Sequence, residues 1–447
     1  MEASAVAAVL QPSLGPVDIE NLRVLTGGAS RATWAFDAVG PAGSLPLILR
    51  LGAPDEIHAG MELEAAALSR AAATGAPVPR ILAASDSLTT LGSPFLVCDF
   101  VAGETIVRKI QRGLDDGGRA ALLQQCAGAL AAIHRADPAG IGLTAVDQFD
   151  QWRHELDEMG DTTAVFEWAF RWLERHRPSD AGEDVLVHGD FRMGNLIVDG
   201  SRLAAVLDWE LTHTGSRAED LAWFCIRAWR FGAPGALGAG GLGGIEEFLT
   251  AYETAAGITL DRNDFHWWLV MATLRWGVIC RYQAQRHLSG QSPSVELAAI
   301  GRRVCETEWD LLNLIDPAGT ATVAHAQRSA PHPDPAGALH GRPTAAELIA
   351  AVADFLDTDV RGATEGQVNF HSRVAANALR IVQRELDNGP SATVAAALSA
   401  LGVSDEQQLA AAIRRGDLDQ RDQDLVPCLT VLVRHRLTAA HPGYENE

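Results

Sequence analysis

The stretch His188–Asn195 reads HGDFRMGN, and further along the chain residues 208–210 read DWE. Apolar segments at 184–187 and 203–207 come directly before these two motifs and are predicted to be strands. Each strand therefore ends in a loop that carries an aspartate, Asp190 in one loop and Asp208 in the other. Asn195 follows Asp190 at the spacing Asp-x-x-x-x-Asn.

Two carboxylates and an amide on adjacent loops are typical of a phosphoryl-transfer site, and this spacing equals that of the catalytic loop of protein kinases. Asp190 is predicted to be the general base that orients and deprotonates a hydroxyl. Asn195 and Asp208 are the predicted Mg²⁺ ligands, because hard cations prefer oxygen donors. Glu210 has two interpretations, a ligand for a second metal or its waters and an exposed loop carboxylate.

Other residues near these motifs are candidates for supporting roles. Arg192 is predicted to balance charge on the transferring phosphoryl group, and the alternative is a surface arginine paired with a loop acid. His188 is predicted to fix the loop by hydrogen bonds. Asp220 is predicted to anchor the loop from behind, to cap the helix that begins near it, or to do both.

The N-terminal region carries candidate nucleotide-binding residues. Gly27, Gly28 and Ser30 lie between the first two predicted strands, where backbone N–H groups can approach phosphate oxygens. Arg50 ends the third strand and is predicted to pair with Glu64 on the next helix. This ion pair would correspond to the one between a strand cation and a helix glutamate that binds ATP phosphates in kinases.

Two features of this region leave alternatives. Arg50 stands where a lysine is usual, and although arginine also binds phosphate, Glu62 competes with Glu64 as its partner. The strand predicted at 95–100 is interpreted as a hinge whose backbone, from Asp99 to Val101, binds adenine.

A substrate pocket is predicted from aromatic and cationic residues in the helical part of the chain. Trp229, Arg275 and Tyr282 are its candidates, and they suit an apolar or anionic substrate. The alternative is that the tryptophans belong to the core and the arginines are solvated.

Composition limits the classes of function. A chain of 447 residues predicts two or three domains, and a formal net charge of -21 argues against nucleic-acid or anionic-membrane partners. The six scattered cysteines predict reduced, mostly buried thiols and a cytoplasmic protein. No apolar run is long enough to span a bilayer, and the short stretch 5–10 lacks the basic residues of a signal peptide.

The chain is predicted to have α+β architecture in four parts. Residues 1–102 form an antiparallel sheet with one helix, the nucleotide-binding lobe. Residues 103–316 form a mainly helical catalytic and substrate lobe, in which the glycine-rich segment 231–244 is expected to be a mobile surface loop. Residues 317–342 are a linker, and 343–447, which lack tryptophan, form a small all-helical domain.

These motifs, continued by AEDLAW at 218–223, resemble the aminoglycoside phosphotransferase-like family over roughly residues 15–316. Within it, VLDWELTH at 206–213 and RAWRFG at 227–232 are most similar to the kinase-like domains related to those fused to acyl-CoA dehydrogenases. Residues 369–379 resemble a helical domain of unknown function associated with such kinases.

The resemblance implies a two-lobed protein-kinase-like fold and ATP- and Mg²⁺-dependent phosphorylation of a hydroxyl on a small molecule. A hydroxyacyl compound or its CoA ester is the acceptor it implies. One alternative is a catalytically weak nucleotide-binding scaffold, a pseudokinase that recruits a partner. Another is an antibiotic kinase, although cationic aminoglycosides need an acidic pocket and the candidate pocket residues are tryptophan and arginine.

Overall fold

The computed structural model describes residues 1–25, 32–52, 60–178, 184–323, 343–388 and 391–446. They divide into two compact units, the first formed by 1–147 with 178–269 and the second by 148–177 with 270–447. Each unit combines two separate segments of the chain, so its bounds differ from those of the predicted domains. The boundaries of the predicted domains stay predictions. The predicted phosphate-binding residues Gly27, Gly28 and Ser30, and residues 324–342 of the predicted linker, lie outside the described residues.

The first unit contains a five-stranded antiparallel sheet in the order β1-β2-β3-β5-β4. Its strands are β1 (Asp18–Leu25), β2 (Ala32–Gly40), β3 (Gly43–Leu51), β4 (Ile81–Ser85) and β5 (Phe95–Asp99). Because side chains alternate along a strand, Phe36 and Ala38 of β2 and Leu47 and Leu49 of β3 share the buried face. The predicted small antiparallel sheet is confirmed.

The N-terminal helix was not predicted from the sequence. Helix α1 (Ala3–Leu14) covers the buried face of the sheet, with Val6 and Leu10 both 0% exposed in one cluster with Phe36 and Leu47. The sequence analysis treated 5–10 only as a short apolar stretch, because its apolar residues are mostly alanine and valine and show weak helical periodicity.

Two short hairpins position the candidate catalytic motifs. Their strands are β6 (Val185–Val187), β7 (Leu196–Asp199), β8 (Arg202–Val206) and β9 (His213–Gly215), with β6 paired to β9 and β7 paired to β8. In the β7–β8 pair, Leu196 lies opposite Val206. The residue before β7, Asn195, and the loop after β8 therefore meet at the same end of the hairpin.

Helices complete the first unit. They are α2 (Met61–Ala73), α3 (Leu88–Leu91), α4 (Val107–Gly113), α5 (Asp116–His134), α8 (Arg217–Cys225), α9 (Ile245–Ala256) and the start of α10 (Arg262–Leu288), with 3₁₀ turns at Met193–Asn195 and Arg227–Arg230. The expectation of a mobile surface loop at 231–244 is wrong for its second half. Ala239 and Leu242 are 0% and 2% exposed, and the Gly240 amide donates to the Phe224 carbonyl at 3.1 Å.

The second unit is helical in its described part. Its helices are α6 (Gln148–Met159), α7 (Ala164–Arg175), the rest of α10, α11 (Val295–Gly301), α12 (Val304–Ile315), α13 (Pro317–Ala321), α14 (Ala345–Phe355, continued by a π-helical turn Leu356–Val360), α15 (Arg361–Ala363), α16 (Gly366–Asn388), α17 (Ala392–Ala400), α18 (Glu406–Arg415) and α19 (Asp422–Ala440), with a 3₁₀ turn at Tyr444–Asn446.

Several local predictions about this unit can be checked. The capping box between Thr344 and Glu347 is present, as its sequence pattern predicts. The predicted linker begins with a helix, α13, whose N-cap is Asp316. Residues 295–315 form two helices, α11 and α12, which are separated near Arg302.

The cysteine prediction also holds, since all six thiols are buried and none forms a disulfide. Burial raises the pKa of Cys98 and of Cys305 to about 12. In the described part of the chain, no helix combines the length and apolarity needed to cross a bilayer.

We expect Leu10→Ala to lower the free energy of unfolding of the first unit by about 2–5 kcal/mol, because it opens a cavity in the core below the sheet. Leu88→Ala is the matched control, since Leu88 is 54% exposed and its truncation should cost less than about 0.5 kcal/mol. Urea unfolding followed by tryptophan fluorescence measures both. Equal effects of the two changes would contradict the packing of α1.

Candidate active site

A buried carboxylate holds the HGD loop in place. Asp220, which is 0% exposed, accepts hydrogen bonds from the backbone N–H groups of His188 at 2.8 Å and Gly189 at 2.9 Å. Its Oδ2 also lies 3.1 Å from His134 Nε2. The cap of α8 is Ser216, whose side chain accepts from the Ala218 amide. Of the two predicted interpretations, the geometry therefore fits the anchor and not the helix cap.

Gly189 has no room for a side chain in this loop. Its φ is 85°, in the left-handed region that favours glycine. A Cβ there would lie 2.4 Å from the carbonyl oxygen of Leu211. The loop can therefore turn over Asp220 only with glycine at this position.

His188 links the loop to the second motif. Its Nδ1 accepts from the Asp190 amide at 3.1 Å, so its Nε2 carries the proton and donates to the Leu207 carbonyl at 3.0 Å. The imidazole is therefore a spacer between the two motif loops, which agrees with its predicted structural role.

Three donors surround the carboxylate of Asp190. Trp223 Nε1 donates to Oδ1 at 2.7 Å, Asn195 Nδ2 donates to Oδ2 at 2.6 Å, and Arg192 Nε lies 3.1 and 3.0 Å from the two oxygens. The contact from Trp223 was not predicted from the sequence. The only sequence signal for it was a tryptophan on the helix that also carries Asp220.

Arg192 is held by contacts with Asp190 and with an aromatic ring. Besides its contact with Asp190, its guanidinium carbon lies 4.9 Å from the centre of the Trp229 ring, a cation–π geometry. A Cβ at Gly194 would lie 2.5 Å from Arg192 Nη1, so the missing side chain of Gly194 makes room for the guanidinium. This geometry matches the alternative in which Arg192 is paired with a loop acid. Its contact with a phosphoryl group stays a prediction.

Asn195 and the Asp208 loop meet through the β7–β8 hairpin. The Leu207 amide donates to the Asn195 carbonyl at 2.8 Å. Because Asn195 Nδ2 donates to Asp190, its Oδ1 faces away and accepts no hydrogen bond from a described residue. Asp208 has φ 68°, an uncommon conformation for a non-glycine residue that aspartate adopts more readily than most side chains.

These atoms fit the requirements of a magnesium site. An amide oxygen and a carboxylate are suitable ligands for Mg²⁺, which usually binds one or two protein carboxylates together with substrate phosphates and water. Among the described residues, no three His, Cys, Asp or Glu side chains gather as a metal cluster. The role of Asn195 and Asp208 as metal ligands stays a prediction.

Arg50 of β3 bridges two carboxylates from different elements. Its Nη1 donates to Glu64 of α2, which is 0% exposed, and its Nη2 donates to Asp208 Oδ1 at 2.9 Å. The competing partner Glu62 instead accepts hydrogen bonds from the backbone amide of Asp86 and the hydroxyl of Ser85. Burial acts to lower the pKa of Arg50, but Glu64 and Asp208 outweigh it and raise that pKa, so Arg50 stays cationic.

A cavity of about 420 Å³ in the first unit brings these residues together. Arg50, Asn195 and Asp208 line it with Asp99 and Val101 of the predicted hinge. The Phe100 amide is occupied by the Pro46 carbonyl at 3.1 Å, whereas the Val101 amide donates to no described residue. The hinge backbone thus has a donor that a ligand can use.

The remaining predicted residues lie elsewhere. Glu210 does not line this cavity among the described residues, although its charge acts on Arg50. Trp229 belongs to the first unit, where its ring centre lies 5.3 Å from that of Trp223. Arg275, 5% exposed, and Tyr282 belong to the second unit. The predicted substrate roles of these three stay predictions.

Comparison with known proteins agrees with this geometry. The model of a phosphotransferase enzyme family matches residues 21–262, more than half of the chain. The chain belongs to this family. A second model, for a domain of unknown function, matches residues 362–444, which confirms the resemblance proposed for the C-terminal region.

Relatives and a solved structure give the same result. Over 279 residues, the chain is 26% identical to mouse acyl-CoA dehydrogenase family member 10, an alignment that covers 56% of this chain and 25% of the mouse protein. It is 29% identical over 238 residues to chicken acyl-CoA dehydrogenase family member 11, with 46% and 30% covered. The chain thus spans less than a third of the length of these curated relatives.

The fold comparison uses a crystal structure from Ralstonia eutropha, described as that of an aminoglycoside phosphotransferase. Its TM-score with this chain is 0.58 at 23% identity, and the match covers 69% of this chain and 98% of that one. This likeness confirms the predicted kinase-like fold of the phosphotransferases.

We expect Asp220→Asn to destabilise the protein by about 3–5 kcal/mol, because an amide cannot accept from both backbone N–H groups and His134 at once. His134 lowers the pKa of Asp220 below its usual 3.8 although burial acts to raise it. A lowered pKa stabilises the fold above pH 3.8, and this stabilisation is lost as the pH falls through the native pKa.

The stability difference between wild type and Asp220→Asn should therefore be constant near neutral pH and shrink under acid conditions. Urea unfolding at a series of pH values measures it. Asp199→Asn is the control, since that side chain is 61% exposed and paired only with Arg202. A difference that grew on acidification would contradict a buried, ionised Asp220.

Proposed function

We propose that this protein transfers the γ-phosphoryl group of ATP to a hydroxyl of a small molecule. One observation carries the proposal: Asp208, Asn195 and Arg50 line a single cavity with the hinge, and Asn195 lies 2.6 Å from Asp190. A base, two oxygen ligands for a metal and a phosphate-binding cation thus occupy one site, as phosphoryl transfer requires.

Asp190 is the proposed general base. Trp223 and Asn195 each donate to one oxygen of its carboxylate, and Arg192 Nε contacts both. These three donors fix the orientation of the carboxylate, and the substrate hydroxyl approaches through the exposed part of Asp190. Its side chain is 15% exposed, enough to meet one ligand atom.

Asn195 and Asp208 would hold Mg²⁺ with the ATP phosphates. When bound there, Mg²⁺–ATP supplies the phosphoryl group and neutralises the charge on its oxygens. Asn195 Nδ2 stays on Asp190, so one amide group orients both the proposed base and the proposed metal ligand. A carboxylate at this position would have no donor for Asp190.

Arg50 is the proposed phosphate-binding cation. Glu64, which is fully buried, keeps the guanidinium in place through Nη1. The other amino group, Nη2, now donates to Asp208 Oδ1 and can donate to phosphate oxygen instead. A planar guanidinium with several donors suits this exchange better than a single ammonium does.

The acceptor we propose is a hydroxyacyl compound or its CoA ester. It is supported by the similarity to proteins named as acyl-CoA dehydrogenase family members and by the contact of Trp229 with Arg192 near the proposed base. The six unpaired cysteines support a reducing compartment, and we propose the cytoplasm.

We expect Asp190→Ala to retain ATP binding and to lose turnover by about 100- to 10,000-fold, because general base catalysis contributes that much. ATP consumption and product formation with 3-hydroxybutyryl-CoA measure turnover, and isothermal titration measures binding. Asp199→Ala, at an exposed aspartate of the same unit, should behave as wild type. Unchanged turnover in Asp190→Ala would exclude this base, and nucleotide binding without Asp190-dependent turnover would favour a scaffold.

Asp208→Ala should weaken binding of Mg²⁺–ATP by about tenfold or more, because a charged ligand to the metal contributes at least about 1.5 kcal/mol. The effect should disappear when ATP is titrated in EDTA, since the contact requires the metal. Glu64 continues to hold Arg50 in this variant, so folding is preserved. Equal Mg²⁺–ATP affinities for the wild type and the variant would rule out Asp208 as a metal ligand.

A further inference from the structure

The first unit has a second cavity, of about 480 Å³, between α4, the start of α5 and the segment Phe231–Gly241. We call it the arginine pocket, because Arg108, Arg112 and Arg119 line it and no acidic residue does so among its described lining residues. Such a concentration of positive charge is unexpected in a chain whose net charge is -21. The distribution of charge therefore indicates an anionic ligand.

The cations of the arginine pocket are incompletely neutralised. Arg108 and Arg112 stand four residues apart on α4, where like charges repel each other on one helix face. Neither forms an ion pair with another described residue, and Arg112 Nε donates to the Arg108 carbonyl at 3.0 Å. Arg119 pairs with Asp116, whose side chain is 98% exposed. An anion in the pocket would relieve this repulsion.

The opposite wall of the pocket is fixed by tight packing. Gln111 Nε2 donates to the Arg230 carbonyl at 2.9 Å, and a Cβ at Gly241 would lie 2.4 Å from the same nitrogen. Phe231 has φ 54°, a strained conformation for a bulky residue that persists only where its surroundings hold it. This wall of the pocket is therefore held in place by its own packing, while Arg108 and Arg112 on α4 are exposed.

A chain of side-chain contacts connects this wall to the proposed base. The ring centre of Phe231 lies 6.3 Å from that of Trp229, and the Trp229 ring contacts Arg192 and Trp223. Both of these residues donate to Asp190. These packed side chains connect the wall of the arginine pocket to the residues that hold the proposed base.

We propose that the arginine pocket binds a phosphate or pyrophosphate group carried by the acceptor, remote from the hydroxyl that receives the phosphoryl group. This inference rests on the proposed function and specifies its substrate class as phosphate-bearing acceptors. Guanidinium groups match phosphate because they donate two parallel hydrogen bonds to its oxygens. Such contacts hold the acceptor and take no part in bond making, so their loss raises KM more than it lowers kcat.

The binding test is a titration of pyrophosphate into protein saturated with magnesium and a non-hydrolysable ATP analogue. We expect Arg108→Ala/Arg112→Ala to weaken pyrophosphate binding by about tenfold or more, and raised salt to weaken it in the wild type. The matched control is Arg202→Ala, at an exposed arginine of the same unit that is paired with Asp199. Equal affinities for all three proteins would overturn the proposal.

The kinetic test compares 3-hydroxybutyryl-CoA with free 3-hydroxybutyrate as acceptors. The double variant should raise KM about tenfold for the CoA ester, with kcat within about twofold, and leave kinetics with the free acid unchanged. Equal effects on both acceptors would overturn the proposal and assign the arginines to a separate anionic effector. If no acceptor is phosphorylated at all, the proposed function fails, while the pyrophosphate titration still decides whether the pocket binds phosphate.

Discussion

The carboxylate of Asp220 is the constraint on which the site depends. It is fully buried and accepts two consecutive backbone amides of the HGD loop together with His134. A buried charge is stable only when it is fully hydrogen-bonded, so its position determines the path of the loop. His188 then spans from this loop to Leu207, and through it one buried charge sets the spacing between the two motifs.

Around this anchor, each polar group of the site serves two partners. Asn195 orients Asp190 with its amide nitrogen, and its oxygen is the proposed metal ligand. Arg50 connects the fully buried Glu64 to Asp208, so the sheet, α2 and the second motif loop share one cation. Because these donors are held by other residues, little reorganisation would be needed in the proposed reaction.

Short-range patterns in the sequence were sufficient for much of this protein. The spacing of Asp190, Asn195 and Asp208 depends only on two strand-loop units, and the small antiparallel sheet was also predicted. Helix α1 was not predicted because its sequence has only weak helical periodicity. Packing against the sheet stabilises it. The glycine-rich segment looked like a loop, but Gly240 and Gly241 are there because Phe224 and Gln111 pack where their side chains would be.

The sequence by itself determined the phosphotransferase motifs, the sheet and the family, because each of these depends on residues that are close together in the chain. Only the tertiary structure decided that Trp223 donates to Asp190, that Arg192 is held by an acid and an aromatic ring, and that Arg108, Arg112 and Arg119 line one cavity beside Phe231. These contacts join residues far apart in the chain. Their geometry depends on how hairpins and helices pack, which no local pattern encodes.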